Sequence, residues 1–219
     1  MAEFSLSYSQ LGLLRSANTF VTGFPQMFVG YLRRFTSGRV LLGVGNLINA
    51  VMNILAAFSR GFLQFFGFRI IGGFGSSPQH PVGTSVVTQA TEPSRRGRML
   101  GLNQSIPSLA FTFTPLITAF LLTRMAWRPA LALLSTPALI FSVILLFFVK
   151  GSSSSEARTR DALSLTRLRE AMKNRNVLSI SALRSVMAFR MGVRSFLPLY
   201  FIDILGLTPA KSSLLYSVM

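Results

Sequence analysis

Long apolar runs recur along this chain, each about the twenty residues that a helix needs to cross the hydrocarbon layer of a bilayer. They fall at 8–32, 40–59, 61–91, 99–122, 128–149 and 178–202, and a further run opens near 209 and is cut off at Met219. Lipid offers no hydrogen-bond partners, so a spanning segment must satisfy its own backbone, which leaves helices and closed barrels. These runs are too long and too unalternating for barrel strands. The expected fold class is therefore all-α, a polytopic transmembrane helical bundle. Composition agrees: 50% of the residues are hydrophobic and the mean hydropathy is +0.52, above the range of ordinary soluble domains.

The charge is lopsided, with 22 Lys and Arg against 6 Asp and Glu, a formal net charge of +16. Such an excess can serve nucleic-acid binding, but here it sits in short loops between apolar runs, which is the membrane pattern. Arg33, Arg34 and Arg39 occupy one loop and Arg95, Arg96 and Arg98 another; residues 150–176 hold seven more, Lys150 to Arg175. These are alternate loops and so share one side, which the positive-inside rule makes cytoplasmic. The opposite loops hold only Arg60, Arg124, Arg128 and Lys211, and the N-terminus is expected outside. The opening MAEFSLSYSQ lacks the basic start of a signal peptide. The expected setting is a prokaryotic cell (inner) membrane, crossed several times. Cys is absent and His80 is the single histidine, so no metal site and no cofactor are expected, and an enzyme lacks its acid, base and nucleophile. The glycines at 72–75 lie inside a span rather than in a strand-to-helix turn, which argues against a nucleotide loop.

Polar residues inside the spans mark the candidate site, because an ionisable group in hydrocarbon costs a few kcal/mol or more. Arg15, Thr19, Thr22 and Gln26 recur at helical spacing and form one face of the first span. Asn46, Asn49 and Asn53 do the same in the second, where Asn reads foremost as glue between helices. Arg69, Gly73, Ser76 and His80 lie roughly on one face of the third, whose Pro78 and Pro81 should bend it near His80. His80 is of the one residue type that changes charge near neutral pH. Gly72 with Ser76, and Gly73 with Ser77, are small-residue pairs that let another helix approach. Gln104 and Ser108 share a face of the fourth span; the fifth has no internal charge and reads as a peripheral, lipid-facing helix. The sixth carries Arg184, Arg190 and Arg194, of which Arg190 is nearest the middle. Between them, GSSSS reads as a flexible linker. Leu165, Leu168 and Met172 beyond it suggest either an amphipathic helix at the interface or a solvated basic connector.

Residues 6–17 can be laid over 207–218, with Leu6/Leu207, Leu13/Leu214, Leu14/Leu215 and Ser16/Ser217 identical and Ser7/Thr208 similar. The distance between the copies is about one six-helix half of a two-half transporter. The loop Gly30 to Arg39 is similar to the signature loop between helices two and three of the major facilitator superfamily: Gly30, Leu32, Gly38 and Arg39 fit, and Arg33 or Arg34 stands where the acidic residue is usual. Arg69 to Gly73 resembles the family's helix-four pattern, 92–98 its four–five loop, and Phe196 to Tyr200 its helix seven. The chain thus resembles that superfamily over nearly its whole length. The resemblance implies a fragment running from family helix two to the start of helix eight. Residues 1–149 would be the remainder of the first half, 150–176 the cytoplasmic central loop and 177–219 the start of the second half. It also implies a cytoplasmic gate built on Gly30, Arg33, Arg34, Gly38 and Arg39, and a proton-coupling role for the Arg69 region.

The function expected is secondary active transport of a small solute, with the lipid bilayer, the solute and protons as partners and no nucleic acid. Candidate substrate or coupling residues are Arg15, Thr19, Gln26, Arg69, His80, Gln104, Arg184 and Arg190. An excess of intramembrane arginine favours an organic anion or a zwitterion, with a drug-like compound as a further substrate class; the alternative is that segments outside the chain carry balancing carboxylates. Facilitated diffusion, or an inactive truncated membrane protein, stand as the other readings.

Overall fold

A computed structural model of the chain describes Phe4 and residues 6–33, 35–148, 173–194 and 196–218. Arg34 and nearly all of the 150–176 connector, including the amphipathic stretch around Leu165 to Met172, lie outside the described residues. Every regular element among the described residues is helical, as the bilayer argument requires. The helices are α1 (Tyr8–Gly23), α2 (Gln26–Leu32), α3 (Gly38–Ala57), α4 (Phe62–Ser76), α5 (Gln79–Ala90), α6 (Arg96–Leu122), α7 (Trp127–Phe148), α8 (Arg175–Arg194), α9 (Leu197–Asp203) and α10 (Pro209–Val218).

Three are long and apolar enough to cross a membrane unaided: α3, α6 with its leading 3₁₀ turn, and α7. The other expected spans are each divided. Run 8–32 breaks at Phe24 and Pro25, because Pro25 brings no N–H to continue the ladder. Run 61–91 breaks at Ser77 and Pro78, where the bend was expected. The hydroxyls of Ser76 and Ser77 donate to the carbonyls of Gly73 (2.9 Å) and Phe74 (2.8 Å), so the joint leaves those groups partnered. Run 178–202 divides between α8 and α9.

The chain forms two compact units, Met1–Asn103 with Ala126–Arg160, and Gln104–Met125 with Asp161–Met219. In the first unit α3 is central and packs against α4, α5 and α7, while α4 also packs against α1. The α3–α4 approach is a backbone contact. A Cβ on Gly45 would strike the carbonyl oxygen of Gly75, and one on Gly75 would lie 3.0 Å from the Asn49 nitrogen. The neighbouring pair Gly72 and Gly73 splits its duty. Gly72 faces Met52 and Asn49 of α3, whereas Gly73 faces Val21 and Asn18 of α1. The small-residue pairs seen in the sequence thus let α4 sit close to two partners at once. Helix α7 is not wholly lipid-facing: Ala130, Ser135 and Ser142 are buried, and Leu146 lies over Gly43 of α3. Its other sides expose Phe141, Phe147 and Phe148.

Arg128, at the start of α7, ties the two helices at one end. Its Nη1 donates to the carbonyl of Ala57 (2.8 Å), at the C-terminus of α3, where a cation also meets the negative end of the helix dipole. Its guanidinium stands 4.9 Å from the Trp127 ring and 5.7 Å from the Phe4 ring. Arg128→Ala is expected to cost about 1–2 kcal/mol, the sum of a lost cap and a lost cation–π contact; thermal unfolding in detergent checks it.

In the second unit α9 and α10 pack together across a turn in which Gly206 takes φ +64°, a conformation that L side chains rarely adopt. Ser212, buried on α10, donates to the Pro198 carbonyl (2.8 Å). The two ends of the weak repeat also start their helices alike. Ser7 Oγ accepts from the Gln10 nitrogen (3.2 Å), and Thr208 Oγ1 accepts from the Lys211 nitrogen (3.4 Å).

Candidate functional site

A cavity of about 650 Å³ opens between α1, the first half of α4 and the start of α7, wholly inside the first unit. Its polar wall consists of Arg15 and Asn18 from α1 and Arg69 from α4. The rings of Phe4, Phe65 and Trp127 and several leucines complete the lining. The three rings touch one another, with centroids 5.9–6.2 Å apart and Trp127 meeting both phenylalanines edge-on. No carboxylate is among the described residues that line the cavity.

Arg69 is held from behind. One guanidinium nitrogen, Nη1, donates to Oδ1 of Asn53 on α3. Asn53 donates in turn to the carbonyl and the side-chain oxygen of Asn49 (both 2.9 Å), and Asn49 donates to the Gly72 carbonyl (2.8 Å). On the other flank Asn18 donates to the Arg69 carbonyl (3.1 Å). The guanidinium is therefore held by the Asn53 amide, which orients the fork without neutralising it, while Asn18 bonds only the Arg69 backbone. Two guanidiniums in one cavity otherwise lined mostly by apolar side chains can hold an anion.

The structure places Arg15 and Arg69 on one cavity, but not the rest of their candidate group. Thr19 is exposed and outside the cavity lining, and Gln26 sits on α2, donating to the Thr22 carbonyl (3.1 Å). His80 is exposed at the start of α5. The break at Ser77 and Pro78 resets the helical phase, so the face shared by Arg69 and Gly73 does not continue to it. Gln104, on α6, and Arg184, on α8, are exposed and belong to the second unit, as does Arg190 on the α8 backbone. Two contributors escaped sequence reading. Asn18 lies three residues after Arg15, a spacing as helical as the four that led to Thr19. Asn53 belongs to a stripe that reads as interhelical glue, and it is also the acceptor for the Arg69 guanidinium.

At the other end of the first unit, the 33–39 loop is pinned to α5. Arg33 is only 9% exposed, and its Nη1 donates to Ser85 Oγ (2.7 Å). Gly38 lies against Val82 and Val86, where a Cβ would come to 3.1 Å. Gly30 sits in α2 and Arg39 in the first turn of α3.

The family description Major Facilitator Superfamily matches residues 1–219. A probable L-galactonate transporter from Escherichia coli (strain K12) is 28% identical over 126 residues, 58% of this chain and 28% of that protein. A probable sulfoacetate transporter from Cupriavidus necator is 27% identical over 156 residues, 71% of this chain and 36% of that protein. The aligned stretches thus span about a third of these relatives. A crystal structure of a bacterial homolog to the human lysosomal transporter Spinster, inward-facing and unoccupied, superposes with a TM-score of 0.72 at 17% identity, covering 98% of this chain and 52% of that one. That likeness shows the fold. With apolar helices built to cross a bilayer and a family match running from the first residue to the last, the chain belongs to the Major Facilitator Superfamily of integral membrane transporters.

Proposed function

We propose that the protein works as a secondary transporter of a small organic anion, with Arg15 and Arg69 as the groups that receive its charge. The observation that carries this reading is the pairing of two arginines on one cavity whose described lining holds no carboxylate. An arginine fork matches carboxylate, sulfonate and phosphate geometry. The names of two relatives, for L-galactonate and sulfoacetate, point the same way. Residues 1–149 would supply the first half-bundle, 150–176 a cytoplasmic connector and 177–219 the opening of the second half. The basic loops would face the cytoplasm across the cell membrane, which sets the arginine cavity toward the outer side.

Trp127 is the single tryptophan and lines the cavity, so its emission reports on occupancy. Titrating the chain in nanodiscs with L-galactonate, sulfoacetate and benzoate is expected to give a saturable change for at least one of them. Arg15→Gln should weaken that response about tenfold, the loss of one charged partner at a wet site. No response to any anion, or an unchanged one in Arg15→Gln, would overturn the reading.

A further inference from the structure

We propose that the arginine cavity selects an organic anion with a ring-shaped apolar body, an aromatic or alicyclic carboxylate, over a polyhydroxylated acid of the same charge. This rests on the anion reading given above and narrows it. The charged and amide side chains of the described lining are Arg15, Asn18 and Arg69. They suffice for one anionic group, and the Arg69 and Asn18 amide contacts already use part of their capacity. The rest of the described lining is the rings of Phe4, Phe65 and Trp127 and the leucine side chains, in which the Trp127 indole N–H is the one polar side-chain group; the Arg128 guanidinium lies over the Phe4 and Trp127 rings.

A bound solute must therefore lay most of its body against side chains that, the Trp127 indole N–H apart, neither donate nor accept a hydrogen bond. A sugar acid's several hydroxyls would leave water for a surface that offers them little beyond one indole N–H, an unfavourable exchange. A ring loses no hydrogen bond there and gains buried apolar area and edge-to-face contact with the aromatic wall. The cavity volume, about 650 Å³, is within the range of pockets for small organic ligands. The chemistry of the anionic end is thus separable from that of the body. The arginines set the first, and Phe4, Phe65 and Trp127 set the second.

The test is a competition series on the full chain in nanodiscs, with binding followed by calorimetry and by Trp127 emission. Benzoate and cyclohexanecarboxylate supply ring bodies, gluconate supplies hydroxyls, and decanoate represents a membrane-derived chain. Ring carboxylates are expected to bind about 30-fold or more tightly than gluconate. Phe65→Ala should erase most of that ratio by weakening the ring acids while leaving gluconate unmoved. Gluconate binding as tightly as benzoate overturns the selectivity and leaves the anion site standing. Decanoate outcompeting both ring acids assigns the cavity to lipid and overturns it as well. If cyclohexylmethanol matches cyclohexanecarboxylate, or nothing binds, the anion reading itself falls and takes this one with it.

Discussion

Placing leucine at Gly75 is expected to destabilise the protein by at least about 3 kcal/mol, seen as a fall of roughly 10 °C in thermal unfolding followed by circular dichroism in detergent. The side chain would enter a space already held by the Gly45 carbonyl, the Asn49 nitrogen and the Ile48 Cβ, all on α3. Two of these are backbone atoms and cannot step aside by changing rotamer, so the helices must part along their length. Parting them also pulls Asn49 from the Gly72 carbonyl and Asn53 from Arg69. Gly83→Ala makes the control. Nothing lies within 4 Å of that position, and alanine inside a helix should be neutral or stabilising by about 0.5–1 kcal/mol. If the two substitutions behave alike, close approach at Gly75 is not what assembles α3 and α4.

The second large effect concerns Arg69. Arg69→Met is expected to abolish anion binding, with an affinity loss of about 100-fold or more, and at the same time to raise stability by about 1–3 kcal/mol. The reasons are linked. Arg69 is part-buried, partnered by a neutral amide, and shares its cavity with the like-charged Arg15. A charge held in this way costs free energy in the empty protein and returns it when an anion arrives. Methionine fills much of the same volume without that cost. Arg69→Lys should retain part of the binding, since it keeps the charge and loses the planar fork. The readouts are Trp127 emission for binding and unfolding temperature for stability. Lower stability in Arg69→Met would mean that the arginine is a structural strut rather than a receptor for solute.

Much of this architecture was legible from residue order. Runs of twenty apolar residues cannot be anything but helices in lipid, and Pro78 announced the joint between α4 and α5. The joint at Phe24 and Pro25 was missed because the apolar pattern runs through it, and apolarity says nothing about a missing N–H. The arginines stood out for the same reason that makes them functional candidates: their cost in hydrocarbon. Their partners did not. The Asn53–Arg69 contact joins residues of different helices, and no periodicity within one helix reports on it. The ring cluster is harder still, since Phe4, Phe65 and Trp127 come from three distant stretches and meet only after folding. His80 shows the converse error. Helical spacing aligned it with Arg69 only so long as the helix continued, and Pro78 ended it.

A rod gripped by glycine contacts on two flanks has little freedom to roll. Because Gly72 and Gly75 meet α3 while Gly73 meets α1, turning α4 about its axis would drive a peptide oxygen or a side chain into one neighbour or the other. In the transport cycle proposed above, α1, α3 and α4 would move as a single block, with pivoting left to the proline joints that follow α1 and α4.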